Sequence, residues 1–206
     1  MTGAGIMLMS GDVPQGSLCT SDEVSALIER LQYDLGEGPC VDAYQLDRPV
    51  LEPDLAEPAK PRWLAFAGPA LTAGVRAVFG FPLHVGAVRL GALNVYSDRP
   101  GPLSAEQHAD ALVMADVAAQ TVLLLQANAP PGLVASELEA GADFQLVVHQ
   151  AAGMVSVQLG VTIALALVRL RAYAFGNERP LADVARDVVA RTLRFDAASG
   201  ELDSGE

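Results

Sequence analysis

The chain has 206 residues, of which 51% are apolar and 18% charged, and its formal net charge is −12. This length suits one or two domains, and the apolar fraction is enough to build their cores. No apolar run approaches eighteen residues without a charge, Gly or Pro, and no signal-peptide pattern is present, so we expect a cytoplasmic protein with no membrane partner. The two cysteines are far apart in sequence, which gives no disulfide framework and fits a reducing compartment.

The first 127 residues alternate short β-rich runs with helical patterns. Strands are predicted at residues 6–9, 17–20, 50–52, 75–83 and 90–96. Turn-forming residues 11–16 separate the first two strands, and a glycine-containing bend joins the last two. Helices are predicted at residues 22–32, 62–71 and 105–125, the first capped by Ser21 and the last by the capping box Ser104-Ala105-Glu106-Gln107. This order predicts an antiparallel sheet flanked by helices.

The best domain boundary lies at the break Asn128-Ala129-Pro130-Pro131-Gly132. We therefore expect a first domain at residues 1–127, a linker at 128–140 and a second domain at 141–196. The last ten residues, 197–206, are rich in Ser, Gly and acids and are predicted to be a disordered acidic tail.

Three short helices are predicted in the second domain. Apolar residues recur at spacings of three and four within residues 144–159, 163–174 and 181–189. Gly160 suits a left-handed helix cap, Thr162 can cap the second helix, and Pro180 fits the first turn of the third. Short helices joined by tight turns predict an all-α three-helix bundle, which makes the whole chain α+β.

The charge of this second domain differs from that of the rest of the chain. Residues 141–196 hold six arginines and five acids, a net of +1, whereas residues 1–140 sum to −10 and the last ten residues to −3. On charge alone, arginines on helix faces are usually solvated. A nearly neutral domain gives only weak support for binding to nucleic acid, because nonspecific affinity comes mainly from neutralising phosphates.

The residue pattern adds a resemblance. Gln150-Ala151-Ala152-Gly153-Met154 on the first helix, Leu170-Arg171 on the second and the segment 179–185 on the third resemble the ANTAR domain. The resemblance implies an RNA-binding module of bacterial transcription antiterminators, which engage paired hairpin loops in nascent RNA, usually as dimers. Arg171 matches the family's second-helix arginine and is the first predicted RNA contact, since a guanidinium can fork onto phosphate or stack on a base. Three further RNA contacts are predicted from polar-face position only: Arg169, Arg179 and Arg186.

The first domain carries a second resemblance. Gly36-Glu37-Gly38-Pro39-Cys40 and the strand segments 78–83 and 91–96 resemble a GAF domain of the type that precedes ANTAR modules in actinobacterial regulators. That resemblance implies a sensory domain that binds a small ligand or chromophore, here unknown, or mediates dimerisation. GAF domains usually begin with a helix, whereas the first predicted strand here starts close to Met1, so we expect this helix to be missing.

Candidate catalytic groups are sparse. The histidines His84, His108 and His149 show no metal-ligand spacing among themselves or with the two cysteines. Cys40 has no evident base or resolving cysteine, which favours a structural thiol over a redox or chromophore site. Trp63 is interpreted as a core residue more readily than as a ligand-stacking one. We expect no catalytic residues, no metal, no cofactor and therefore no enzyme.

Two functions are consistent with the sequence. In the first, the chain is an RNA-binding regulator of transcription, a homodimer controlled by its sensory domain. In the second, it is a dimerisation or small-ligand-sensing protein whose bundle has lost RNA binding. The second hypothesis depends on Ala152, which stands where the ANTAR family commonly carries a lysine.

Overall fold

A computed structural model describes residues 1–10, 13–58, 61–128 and 143–196. It divides the chain into an N-terminal unit, Met1–Ala142, and a C-terminal unit, Asp143–Glu206. The predicted linker, apart from Asn128, and the predicted acidic tail lie outside the described residues.

The described part of the N-terminal unit contains an antiparallel sheet of five strands in the order β2-β1-β5-β4-β3. The antiparallel sheet predicted from the sequence is confirmed. The strands are β1 (Gly3–Ser10), β2 (Val13–Thr20), β3 (Val50–Glu52), β4 (Ala77–Val85) and β5 (Val88–Ser97).

The predicted loop at residues 11–16 is wrong over most of its length. Strand β2 begins at Val13 and pairs Pro14 with Met9 and Gly16 with Leu8. Two register shifts in β1, one of them between Leu8 and Met9, absorb the irregularity of this Pro- and Gly-containing segment. Turn-forming residues therefore extend the strand instead of interrupting it.

The helices of the N-terminal unit are α1 (Glu23–Leu35), α2 (Pro39–Leu46), α3 (Leu64–Thr72) and α4 (Ala105–Ala127). The capping box at the start of α4 is confirmed. The N-cap of α1 is Asp22 and not Ser21, because the Asp22 carboxylate accepts the Ser25 N–H at 2.8 Å. The Ser21 hydroxyl instead accepts the backbone N–H of Ala4 on β1, at 2.8 Å.

Helix α3 begins two residues later than predicted. Trp63 has a left-handed backbone, with φ of 53°, so the helical conformation starts only at Leu64. Helix α2, which is not among the helices predicted from the sequence, starts with Pro39 in its first turn, where the missing N–H costs nothing.

The two faces of the sheet carry different helices. Helix α4 covers one face through small side chains, and the large apolar side chains of β4 and β5 pack beneath it. This cluster consists of Ala77, Phe79, Phe81, Leu83, Leu93, Ala111, Ala115 and Ala119. Helices α1 and α2 pack on the other face, against β1, β2, β4 and β5.

The C-terminal unit contains α5 (Asp143–Leu159), α6 (Ile163–Gly176) and α7 (Leu181–Val189), which pack against one another. The left-handed Gly160, with φ of 65°, and the Thr162 cap are confirmed. Pro180 is the N-cap of α7, with an extended backbone, and not a residue of its first turn as predicted. The side chain of Ala152 is fully buried.

Among the described helices, α4 is long and apolar enough to cross a membrane by length and composition, with a mean hydropathy of 1.4. The segments Leu146–Leu159 and Ile163–Gly176 meet the same criteria only as a pair bent by 104°. A helix that packs on a sheet through one apolar face also meets these criteria, and the buried alanines of α4 place it in that class.

Candidate functional site

Helix α1 presents polar side chains to the sheet. The residues of its buried face include Ser25, Ile28, Glu29 and Gln32, which recur at spacings of three and four. Glu29 is 1% exposed and Gln32 is fully buried. A glutamate is almost never fully buried without a partner, so this face differs from an ordinary core-facing helix stripe.

Asn94 of β5 lies beneath these two side chains. It is fully buried, and its neighbours across the sheet are Gly5 on β1 and Gly80 on β4. A Cβ atom built on Gly5 would lie 2.8 Å from Oε1 of Glu29, so the carboxyl group lies directly over β1. Because opposed Cβ positions in an antiparallel pair are about 5 Å apart, the Glu29 carboxyl lies within roughly 8 Å of the Asn94 Cβ. We call Glu29, Gln32 and Asn94 the Glu29 pocket.

Helix α2 closes the side of the Glu29 pocket next to Gln32. The backbone N–H of Cys40 donates to Oε1 of Gln32 at 2.7 Å. A Cβ on Gly80 would meet the carbonyl oxygen of Pro39, so the first turn of α2 lies against β4 at the position next to Asn94. Gly80 therefore permits the close approach of helix and strand that completes the pocket.

Five polar atoms of the Glu29 pocket have no hydrogen-bond partner among the described residues. They are Oε1 and Oε2 of Glu29, Oδ1 and Nδ2 of Asn94, and Nε2 of Gln32. A buried polar group left without a partner costs about 1–3 kcal/mol. Five such atoms would consume much of the roughly 5–15 kcal/mol by which a domain is stable. Ordered water or a ligand can supply the missing partners of such buried polar atoms.

The electrostatics of the pocket follow from burial. Burial raises the pKa of Glu29 to about 8, so this carboxyl group, with no cation beside it in the described part of the chain, is protonated at neutral pH. Burial and then the Glu29 charge raise the pKa of the Cys40 thiol well above its ordinary value, against the opposing effect of the Gln32 side chain. Cys40 is buried and Cys19 exposed, and both are free. A thiol with a raised pKa is a poor nucleophile, which agrees with a structural Cys40.

The segment Gly36–Cys40 links the pocket to two neighbouring helices. Gly36 ends α1 in a left-handed conformation, with φ of 69°. The Glu37 carboxylate accepts the backbone N–H groups of Ala65 at 2.7 Å and Phe66 at 2.9 Å, so it caps α3 from outside that helix. These five residues end one helix, cap a second and begin a third.

Trp63 is 6% exposed and belongs to the core, as the sequence predicts. Its indole N–H donates to the carboxylate of Asp42 at 3.0 Å. The Arg62 guanidinium lies 4.4 Å from the ring centroid and also contacts Glu52 at 3.3 Å. The ring is therefore held between protein groups.

The histidines lie at separate positions. His84 is 4.0 Å from Asp47, and the ring of His108 lies edge-on to Phe81 at 5.5 Å. Burial and then the charge of Arg171 lower the pKa of His149. Within the ranges that the structure describes, no group of three His, Cys, Asp or Glu side chains is placed to hold a metal ion.

The four arginines predicted to contact RNA have different surroundings. Arg179 forms an ion pair with Asp187 at 2.8 Å, and Arg186 forms one with Asp183. Arg171 is half-buried beside His149, and Arg169 is exposed. Two of the four arginines therefore form ion pairs with aspartates of the same unit. The prediction from helix-face position did not include these pairs.

Sequence reasoning missed two other arginines. Arg191 and Arg194 lie at a groove of about 780 Å³ in the C-terminal unit, which is also lined by Gln150, Gly153, Met154, Val157, Gln158 and Val189. Two contacts of Phe195 help to hold the segment after α7: the Phe195 N–H donates to Oε1 of Gln158 at 3.0 Å, and the Phe195 ring lies 5.4 Å from Tyr173. The groove combines an apolar surface with two exposed guanidinium side chains.

Comparison with protein families identifies the N-terminal unit. Residues 2–122 match the GAF domain, and the chain belongs to the GAF domain family. The family assigns the chain a sensory or regulatory role. Comparison with curated proteins found no match.

Three solved structures are similar to the chain. A type II free methionine-R-sulfoxide reductase from Thermoplasma acidophilum is 19% identical, with a TM-score of 0.45, and the match covers 57% of this chain and 76% of that one. A domain described as part of a two-component sensor histidine kinase from Sinorhizobium meliloti 1021 is 16% identical, with a TM-score of 0.48 and coverage of 61% and 80%. The GAF domain region of a protein described as a membrane protein from Geobacter sulfurreducens PCA is 18% identical, with a TM-score of 0.48 and coverage of 59% and 81%.

Proposed function

We propose that the chain is a transcription regulator that senses a small molecule in its GAF domain and binds RNA hairpins through its C-terminal unit, in the manner of ANTAR antiterminators. The observation that carries the sensory part is the Glu29 pocket, whose five unpartnered polar atoms can hydrogen-bond an occupant. The RNA-binding part is supported by the three packed helices with their arginines and by the ANTAR-like residue pattern.

The proposed RNA surface combines predicted and newly located arginines. Arg171 on α6 remains its first contact, Arg169 on the same helix is one of the further predicted contacts, and the groove adds Arg191 and Arg194. In the described part of the chain, Arg169, Arg191 and Arg194 are exposed and form no ion pair. An unpaired base can lie on the apolar surface at Met154 while guanidinium groups contact its phosphates.

Arg179 and Arg186 are secondary contacts in this proposal. Each would exchange its carboxylate partner for a phosphate. Because an exposed ion pair contributes only about 0–1 kcal/mol, breaking it costs little free energy. Ala152 contributes no contact because its side chain is fully buried. RNA affinity therefore depends on the arginines and not on the position where the ANTAR family commonly has lysine.

Helix α4 supports the proposed homodimer. Its alanines pack on the sheet, whereas another side of the same helix exposes Val113, Val117 and Leu124, by 62%, 53% and 64% respectively. These positions recur at four and seven residues, the spacing of a helix–helix seam. Association of two copies through this seam would bring two C-terminal units into one particle. The proposal includes no catalytic step and a cytoplasmic location, where nascent RNA is found.

Gel-shift titration of RNAs with paired terminal hairpin loops tests the RNA part. We expect binding that weakens as salt rises, and Arg171→Ala and the double variant Arg191→Ala/Arg194→Ala should each weaken it. Each phosphate contact removed should reduce the slope of log affinity against log salt by about 0.7–0.9. Arg30→Ala is the matched control, because Arg30 is an exposed arginine of α1.

The alternative function, a dimerisation or ligand-sensing protein that does not bind RNA, predicts a different result. A folded dimer that binds no hairpin even at low salt would exclude the RNA part and leave the sensory part standing. Binding that the arginine variants leave unchanged would exclude the proposed surface.

A further inference from the structure

The unpartnered atoms of the Glu29 pocket define the hydrogen-bonding capacity of its occupant. Three are acceptor oxygens when Glu29 is ionised: Oε1 and Oε2 of Glu29 and Oδ1 of Asn94. An ammonium group has three N–H donors and no acceptor, so it can donate one N–H to each of these three oxygens. The remaining atoms, Nδ2 of Asn94 and Nε2 of Gln32, are amide donors. An acceptor oxygen on the same occupant would satisfy them.

The charge around Glu29 also calls for a cation. None of the ion pairs among the described residues includes Glu29, and burial raises its pKa with no basic neighbour to oppose it. The titratable groups that packed elements bring near it are the thiols of Cys19 on β2 and Cys40 on α2. Strand β1 and helix α3 carry no titratable side chain. Positive charge for Glu29 must therefore come from a proton or from an occupant.

We propose that the Glu29 pocket binds a small primary ammonium compound that also carries an acceptor oxygen, such as an amino alcohol or an amino acid amide. This inference rests on the proposed sensory function and names the class of its ligand. The ammonium group binds the Glu29 carboxylate and Oδ1 of Asn94, and the ligand oxygen accepts from the two amide groups. Binding breaks the O–H bond of the Glu29 carboxyl group, and its proton leaves to the buffer, so the ammonium replaces a proton.

Four compounds test this ligand class on the full-length protein. Ethanolamine and glycinamide carry an ammonium group and an oxygen, choline has the charge but no N–H, and ethylene glycol has the oxygens but no charge. We expect the first two to raise the melting temperature and choline and ethylene glycol to bind at least about tenfold more weakly. Calorimetric titration of ethanolamine at pH 7 in phosphate and in HEPES should give enthalpies that differ by the heat of buffer protonation, which measures the released proton.

Variants connect this result to the pocket. Glu29→Gln should weaken ethanolamine binding at least about tenfold and abolish proton release, and Asn94→Ala should weaken binding while proton release persists. The comparison of ethanolamine with choline needs no variant, so it decides the inference even where a substituted protein fails to fold.

Two results separate the inference from the proposed function. Neutral compounds from a metabolite library that bind the pocket, while both amines do not, would overturn the ligand class and leave sensing intact. A library in which no compound stabilises the protein would overturn sensing and ligand class together. Equal affinity for choline and ethanolamine would show that charge alone is recognised and would overturn the proposed N–H contacts.

Discussion

The two faces of the sheet in the GAF domain have opposite chemistry, although the same strands build both. The face under α4 buries Phe79, Phe81, Leu83 and Leu93 against alanines. The face under α1 and α2 includes the Glu29 pocket. Successive side chains of a strand point to opposite faces, so one strand can contribute to both environments. The first face stabilises the fold, and the second offers unpartnered polar atoms to an occupant.

Glycine distinguishes the two faces further. Gly5 and Gly80 flank Asn94 on the α1–α2 face, where a Cβ on either would meet Glu29 or Pro39. The α4 face instead buries the large side chains of Phe79, Phe81 and Leu93 on the same strands. Side chains therefore separate α4 from the strand backbone. The glycines on the other face let α1 and α2 bring their polar groups close to that backbone.

The largest expected effect comes from the apolar face. Phe81→Ala removes a fully buried ring, which also contacts His108, and should lower the free energy of unfolding by about 3–5 kcal/mol. Urea denaturation measures this loss. Met114→Ala, at a position of α4 that is 59% exposed and outside the proposed dimer seam, should change stability by less than about 0.5 kcal/mol. Similar losses for both variants would contradict the packing of α4 described here.

The next effect is the pH dependence of stability that arises from Glu29, on the face of the sheet under α1 and α2. The pKa of Glu29 rises from 4.5 to about 8 on folding, so between these values the folded state binds the proton and the unfolded state does not. Stability from this group is present below pH 4.5 and is lost as pH rises toward 8, by up to about 1.4 kcal/mol per pH unit. Relative to wild type, Glu29→Gln should therefore gain stability steadily from pH 5 to pH 8.

Denaturation curves at several pH values, without added amines, measure this difference. Glu23→Gln removes a carboxyl group from an exposed position of the same helix and is the matched control. A wild-type protein and a Glu29→Gln variant with parallel pH profiles would show that Glu29 is ionised in the folded state across this range.

A smaller loss of stability is expected from removing the Glu37 cap of α3. Glu37→Ala removes the acceptor for the N–H groups of Ala65 and Phe66 and should cost about 1 kcal/mol. Glu37→Gln keeps an acceptor oxygen and should recover most of that loss. Thermal denaturation compares the three proteins, and equal melting temperatures for wild type and Glu37→Ala would show that water replaces the cap.

Local features of the fold could be predicted from the sequence. The capping box at Ser104, the Thr162 cap and the left-handed Gly160 each depend on residues within one helix turn, and all three are present. Glu29 could not be recognised, because its burial depends on Gly5 of a distant strand and its chemistry depends on Asn94. A glutamate within a helix ordinarily indicates the solvent side, and only the packed sheet shows otherwise.

The arginines show a second limit of sequence reasoning. Helix periodicity correctly places Arg179 and Arg186 outside the apolar stripe, and both are exposed. Periodicity does not reveal that these two arginines form ion pairs with Asp187 and Asp183. Arg191 and Arg194 follow the last helix, where periodicity carries no information, so their position at the groove emerges only from the fold of the segment after α7.

The segment Gly36–Cys40 has a consequence for how an occupied pocket differs from an empty one. Gln32 is bonded to the Cys40 N–H at the start of α2, and Glu37 between them holds the start of α3. If a molecule bound there and displaced Gln32, the N-termini of α2 and α3 would both be affected, because both are anchored within five residues of chain. The proposed sensing would then reach two helices on that side of the sheet through one short segment.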